Sequence, residues 1–140
     1  MPVEIERKFR VTGDGWRTAD AGAHYRQGYL SMQAGASVRV RASDVQGWLT
    51  IKGETCGASR PEYEYLIPLA HAIELLDTLC IQPVIEKTRY RIEYRGLVWE
   101  VDEFEGENAG LVIAEVELEN EGQAIERPEW VGEEVTGDPR

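Results

Sequence analysis

An antiparallel, mainly β fold with one clear helix is what this 140-residue chain predicts, and three observations predict it. Eight segments alternate side-chain type with period two, so each has two chemically distinct faces. Glycine-containing turns separate them. The links between consecutive segments are short, which imposes antiparallel pairing.

Taken in order, the strands are expected at 3–11, 24–33, 36–43, 47–53, 61–67, 84–95, 97–105 and 112–119. Turn chemistry lies between them at Gly13-Asp14-Gly15, Gly35, Gly47, Gly57 to Pro61, Gly96, and Gly106 to Gly110. The helix opens at Pro68. Its apolar residues Leu69, Ala72, Ile73, Leu76, Leu79 and Cys80 recur at helical spacing, and Pro83 blocks its continuation. A weaker helical turn is expected within 14–22, and another short helix in the acidic tail from 120 onward, which carries Pro128 and Trp130.

Composition bounds the function. Hydrophobic residues at 42% and charged residues at 29% suit a folded chain, and 140 residues suit a single domain, 1–140. No apolar run approaches the roughly 20 residues that span a bilayer. The opening MPVEIERKF is charged and lacks a secretory apolar stretch, so a cytoplasmic location and no membrane partner are expected. Cys56 and Cys80 have no Cys/His neighbours that would make a zinc site, and His24 and His71 sit in no ligand motif; all four read as structural. With 26 acidic against 15 basic residues the net charge is −11. That excludes broad nucleic-acid binding, which works by neutralising phosphates. Taken alone it would also exclude any polyanionic ligand, so the distribution of the charges decides.

Sorted by parity, the strands repeat one result. Glu4, Glu6, Lys8 and Arg10 oppose Val3, Ile5, Phe9 and Val11; Arg39 and Arg41 oppose Val38 and Val40; Lys52 opposes Leu49 and Ile51. Glu62 and Glu64 oppose Tyr63 and Tyr65; Lys87, Arg89 and Arg91 oppose Tyr90 and Ile92; Glu100 and Asp102 oppose Trp99 and Val101; Glu115, Glu117 and Glu119 oppose Ala114, Val116 and Leu118. Two architectures satisfy this pattern: a β-sandwich whose charged faces meet water, or a sheet that turns them inward. Parity alone does not choose. The signs, however, are segregated, with acids on the first and last strands and bases on the third, fourth and sixth. Two carboxylates about 4 Å apart repel by roughly 4 kcal/mol at an effective dielectric near 20. A divalent cation removes that cost for acids, and phosphate oxygens remove it for Arg and Lys.

The segments EIERKF (Glu4–Phe9), SVRVR (Ser37–Arg41), LTIKG (Leu49–Gly53), EKTRYR (Glu86–Arg91), WEVDEF (Trp99–Phe104) and AEVELE (Ala114–Glu119) resemble, in this order, the CYTH superfamily of triphosphate tunnel metalloenzymes. The resemblance runs through nearly the whole chain and looks closest to bacterial inorganic tripolyphosphatases. It implies an eight-stranded antiparallel closed β-barrel with a few flanking helices and charges facing a tunnel. It further implies that Glu4, Glu6, Glu115 and Glu117 hold Mg2+ or Mn2+, with Asp102 as an addition. Lys8, Arg39, Arg41, Lys52, Lys87 and Arg89 would bind phosphates, with Glu62 and Glu64 orienting these cations. Lys8, Tyr29 and Glu117 would act in catalysis, Tyr29 by pairing with Lys8. The implied activity is metal-dependent hydrolysis of the terminal phosphate of a linear triphosphate, inorganic tripolyphosphate first and nucleoside triphosphate second. An adenylate cyclase, a thiamine triphosphatase and a non-catalytic polyphosphate-binding module are the alternatives. The family commonly continues past a VTGD-type segment into a further helix, whereas this sequence stops at Arg140, and a homodimer would cover outer wall left exposed.

Overall fold

The computed structural model describes residues 2–17, 22–33 and 35–136. The elements are β1 (Val3–Val11), β2 (Ala23–Gln33), β3 (Ala36–Ala42), β4 (Gly47–Gly53), β5 (Ser59–Ile67), α1 (Leu69–Thr78), β6 (Ile85–Tyr94), β7 (Leu97–Phe104), a 3-10 turn (Gly106–Asn108), β8 (Val112–Glu117) and β9 (Val131–Glu134). All strand pairs are antiparallel. In the order β5-β4-β3-β2-β6-β7-β8-β1 each strand is hydrogen-bonded to the next, and β5 also pairs with β1. The eight strands thus form a closed ring, not the two sheets of a sandwich. Closure rests on Val3↔Pro61, Glu4↔Arg60 and Ile5↔Ser59.

One edge of β1 belongs to β8, from Glu6↔Glu117 to Arg10↔Ile113. The other edge is divided. Its first half pairs with β5, and its second half with β9 through Phe9↔Glu134 and Val11↔Val131. This corrects the short helix expected in the tail: backbone groups of β1 that β5 does not reach would be left unpaired, and the tail satisfies them as a strand. Thr12 N donates to Trp130 O at 2.8 Å and Val135 N to Lys8 O at 2.8 Å. Of the expected helical turn at 14–22, residues 14–17 form a bend and turn, while 18–21 lie outside the described residues.

Because the charged faces point into the ring, the apolar faces must be covered from outside. Three segments do this. Over β1, β7 and β8, Trp16 and Trp130 close a cluster containing Phe9, Trp99, Val101, Ala114, Val116 and Leu118. Trp99 meets Trp130 edge-on at 5.9 Å and Phe9 at 5.5 Å between ring centroids. Over β3 and β4, α1 lays down Ala72 and Leu76, with Cys80 just past its end, against Val40 and Ala42. Each large apolar side chain so buried contributes about 1.5–3 kcal/mol. The helix can approach this closely because Gly47 lacks a side chain, where a Cβ would lie 2.6 Å from Ala72 Cβ; Gly28 likewise makes room for the segment after the helix, where a Cβ would lie 2.9 Å from Val84 Cγ1. The helix ends where Gln82 Nε2 donates to the carbonyls of Leu76 and Cys80, which the helix itself leaves open. Ile73 and Leu79, expected on the apolar face, are 40% and 66% exposed and lie at its margin.

Candidate active site in the lumen

The ring encloses a cavity of about 610 Å³. Register sets its chemistry, since inward residues of neighbouring strands meet. Glu6↔Glu117, Lys8↔Glu115 and Glu100↔Glu115 build an acidic wall on β1, β7 and β8. Opposite lie Arg39 and Arg41 of β3, Lys52 of β4, and Lys87 and Arg89 of β6. Seven carboxylates line the cavity (Glu4, Glu6, Glu62, Glu64, Glu100, Glu115, Glu117) and seven cations (Lys8, Arg39, Arg41, Lys52, Arg60, Lys87, Arg89). The lumen is therefore balanced in formal charge although the chain carries −11. The excess of acid is on the outside.

The cations differ in how they are held. Asp102, fully buried, receives Lys87 Nζ at 2.7 Å, Arg89 Nε at 2.7 Å and Arg89 Nη2 at 2.9 Å. Burial pulls Arg89 down, and the Asp102 hydrogen bonds and charge overcome it, so its guanidinium is held above its ordinary range. Lys87 is lowered, by burial first, with Asp102 opposing and Arg89 repelling it. Lys52 Nζ donates to both oxygens of Glu4, at 3.2 and 3.0 Å, and lies 3.3 Å from Glu62. Arg60 Nε is 3.4 Å from Glu4, and Lys8 Nζ is 3.8 Å from Glu6. Arg41 has only Glu64, at 3.8 Å, and Arg39 pairs with no carboxylate among the described residues. The Nε atoms of both arginines are buried without a hydrogen-bond partner. Buried donors of this kind are costly unless a ligand receives them.

The carboxylates split into coupled sets. Burial, then repulsion from Glu115, pushes Glu6 up to about 9. Glu115 moves the other way: burial raises it, but Lys8, Glu6 and Arg89 hold it well below the usual range. The two therefore retain one proton between them at neutral pH. Burial also raises Glu62, with Glu4 beside it, to about 7, while Glu4 itself is held near 2 because Glu62, Lys52 and Arg60 outweigh its burial. Glu117 is raised by burial, then by Glu4 and Glu100. Glu6, which keeps its proton at neutral pH, and Glu62, raised to about 7, offset part of the acidic wall's charge beside the seven cations, which suits a polyanion. The same donor set, oxygen only and anionic, fits a hard divalent cation, which would compete for the place of the shared protons. Among the described residues no three such side chains converge on one point, since Glu4 is turned toward Lys52 and Arg60.

The chain matches the CYTH domain across residues 2–139. It belongs to the CYTH family. Among curated relatives, an inorganic triphosphatase of Acetivibrio thermocellus is 54% identical over 140 residues, covering 100% of this chain and 90% of that protein. An inorganic triphosphatase of Nitrosomonas europaea is 38% identical over 145 residues, covering 99% and 92%. A crystal structure of an inorganic triphosphatase superposes with a TM-score of 0.67 at 35% identity, covering 98% of this chain and 92% of that one. The eight-strand ring is accordingly the triphosphate tunnel fold of this family.

In this CYTH chain the ring brings Glu4, Glu6, Lys8, Tyr29, Arg39, Arg41, Lys52, Glu62, Glu64, Lys87, Arg89, Glu115 and Glu117 to one cavity. Asp102 is not on its surface; both its oxygens are taken by Lys87 and Arg89, which screen it from the lumen. Tyr29 lines the cavity opposite Arg39 on β3. Among the described residues no hydrogen bond joins it to Lys8, whose nearest acid is Glu6. Glu64 accepts from Thr50 Oγ1 at 2.9 Å as well as facing Arg41. Gln27, Arg60, Glu100 and Thr136 are among the polar lining residues that went unassigned in the sequence. The parity of Glu100 marks it as inward; Arg60 was hidden in a stretch that reads as turn.

Proposed function

We propose that this CYTH chain hydrolyses inorganic triphosphate to diphosphate and orthophosphate in its lumen, using Mg2+ or Mn2+. The observation that carries the reading is the pair of arginines on β3, Arg39 and Arg41, whose buried Nε donors lack partners while they face a wall of carboxylates across 610 Å³. A linear polyanion supplies acceptors to the first group, and a divalent cation neutralises the second. The full-length similarity to proteins named inorganic triphosphatases supports the substrate.

Glu4, Glu6, Glu115 and Glu117 would hold the metal, which when bound neutralises phosphate charge and polarises the bond to be broken. The protein's own groups do the rest. Lys8, Arg39, Arg41, Lys52, Lys87 and Arg89 fix the phosphate chain, so positioning and charge neutralisation carry most of the barrier reduction. Asp102 is assigned to hold Lys87 and Arg89 in place. Glu62 and Glu64 orient Lys52 and Arg41. Glu117 takes the proton of the water that attacks the terminal phosphorus, Lys8 stabilises the charge that develops there, and Tyr29 positions the terminal phosphate. A homodimer is proposed through the outer face shared by Val3, Ile51 and Tyr65, which are 54%, 37% and 55% exposed.

The test is a panel of tripolyphosphate, ATP and thiamine triphosphate, each with Mg2+ and with Mn2+, following orthophosphate and any cyclic nucleotide. Tripolyphosphate should turn over fastest, releasing orthophosphate only in the presence of cation. Glu4→Gln and Glu117→Gln should each lower kcat about 100-fold or more, and Glu133→Asn, on a side chain 75% exposed, should not. Equal loss at all three positions rejects the assignment.

A further inference from the structure

Among the tunnel cations, Arg41 has only a loose carboxylate contact, Glu64 at 3.8 Å, and it has a second support. Its guanidinium carbon lies 4.7 Å from the ring centre of Trp48 and 5.1 Å from that of Tyr25. The two rings are themselves 6.1 Å apart and tilted at 48°, so Arg41 sits in the corner between them. Register explains the meeting. Trp48 is the cross-strand partner of Arg41 on β4, and Tyr25 precedes by two residues Gln27, its partner on β2. Tyr25 also lies 5.8 Å from the Arg89 guanidinium. Neither ring lines the cavity, whereas Arg41 does.

A carboxylate partner holds a cation but cancels its charge toward a ligand. An aromatic face attracts the cation through its quadrupole and cancels nothing. Arg41 is close to two like charges, Arg39 and Arg89, so without support it would turn away from them. We infer that Tyr25 and Trp48 are positioning residues for substrate binding, holding the loosely paired Arg41 guanidinium toward the lumen so that it engages the triphosphate. They act through Arg41 and touch no reacting atom. This rests on the triphosphatase reading of the lumen and adds to it a ligand-binding role for two aromatic side chains.

The experiment compares full-length Trp48→Phe, Trp48→Leu, Tyr25→Phe and Tyr25→Leu, each alone and combined with Arg41→Gln. Steady-state kinetics with tripolyphosphate and cation give kcat and KM, and thermal melts report folding. The Leu variants should raise KM for tripolyphosphate about tenfold with kcat within about threefold, and the Phe variants should stay within about threefold of the parent in both. In the Arg41→Gln background the Leu changes should add nothing further. Should Trp48→Leu fail to fold, the Tyr25 pair carries the same comparison. Overturning results are a Leu variant with unchanged KM, a Phe variant as impaired as Leu, or an undiminished Leu effect when Arg41 is already Gln. A parent protein that does not hydrolyse tripolyphosphate would instead remove the triphosphatase reading, and this inference with it.

Discussion

Two parts of the basic wall, one strand pair apart in the ring, are built on opposite terms. On β6, Lys87 and Arg89 are clamped by the fully buried Asp102 through three hydrogen bonds of 2.7–2.9 Å. On β3, Arg39 and Arg41 keep buried Nε donors with no hydrogen-bond partner among the described residues. The first arrangement orders its cations within the protein before any ligand arrives. The second is incomplete until something enters the lumen. The difference separates cations that the fold positions by itself from cations that wait for a ligand's acceptors, and it turns on hydrogen-bond completeness, not on charge.

Removing Asp102 is the harshest way to break this comparison. Asp102→Ala takes three hydrogen bonds from two buried cations, leaving Lys87 without its carboxylate and Arg89 with only Glu100 and Glu115 at 3.4 and 3.9 Å, and should cost about 3–5 kcal/mol of stability, read by urea unfolding. A cost under about 1 kcal/mol would mean that the clamp does not organise the wall. The reverse is expected on β3. Arg39→Ala should lower kcat/KM for tripolyphosphate about 100-fold, yet leave the ligand-free melting temperature unchanged or raised, because a buried Nε donor without a partner among the described residues has gone. A fall in melting temperature would place Arg39 with the structural cations.

The acidic wall gives a pH test. Glu6 is pushed up to about 9 in the folded protein against 4.5 as its ordinary value. Between those limits the folded state binds the proton and the unfolded state does not, so stability falls as pH rises from 4.5 to about 9. Cation-free Glu6→Gln should flatten that fall, as measured by urea unfolding across the range; an unaltered slope would show that Glu6 keeps no proton. The smallest effect is expected outside the lumen. Glu134 of β9 is held near 2, chiefly by the hydrogen bonds from Arg7 on β1. Its contribution is present above pH 4.5 and lost as pH falls toward about 2. The pair is partly exposed, so Arg7→Ala should cost under about 1 kcal/mol at neutral pH, and the change in melting temperature checks it.

The strands were legible because period-two alternation survives whichever face is buried, and each of the eight ring strands lies close to its expected place. Closure was not legible from pattern. It depends on β1 meeting β5, a pairing between segments more than fifty residues apart in sequence, as in Glu4↔Arg60, and only the family resemblance pointed to it. The ninth strand was hidden for a different reason: four residues with two glutamates carry no readable alternation, and what makes them a strand is the open edge of β1. In the lumen, the inward residues could be named by parity, but their partners could not. Asp102, expected as an addition to the metal carboxylates, has Arg89 directly across from it, a pairing that only register reveals. Trp48 and Tyr25 carry no site signal in the sequence, and the same register sets them against Arg41.

The account depends on the lumen being a polyanion site completed by its ligand. Titration calorimetry of tripolyphosphate into the protein and into Arg39→Ala/Arg41→Ala, at low and high salt, tests this most directly. Binding should be clear in the parent, weaker as salt rises, and lost or reduced more than about 100-fold in the double variant. Equal affinity in both proteins would contradict the account, because the two incomplete arginines would then have no part in holding phosphate.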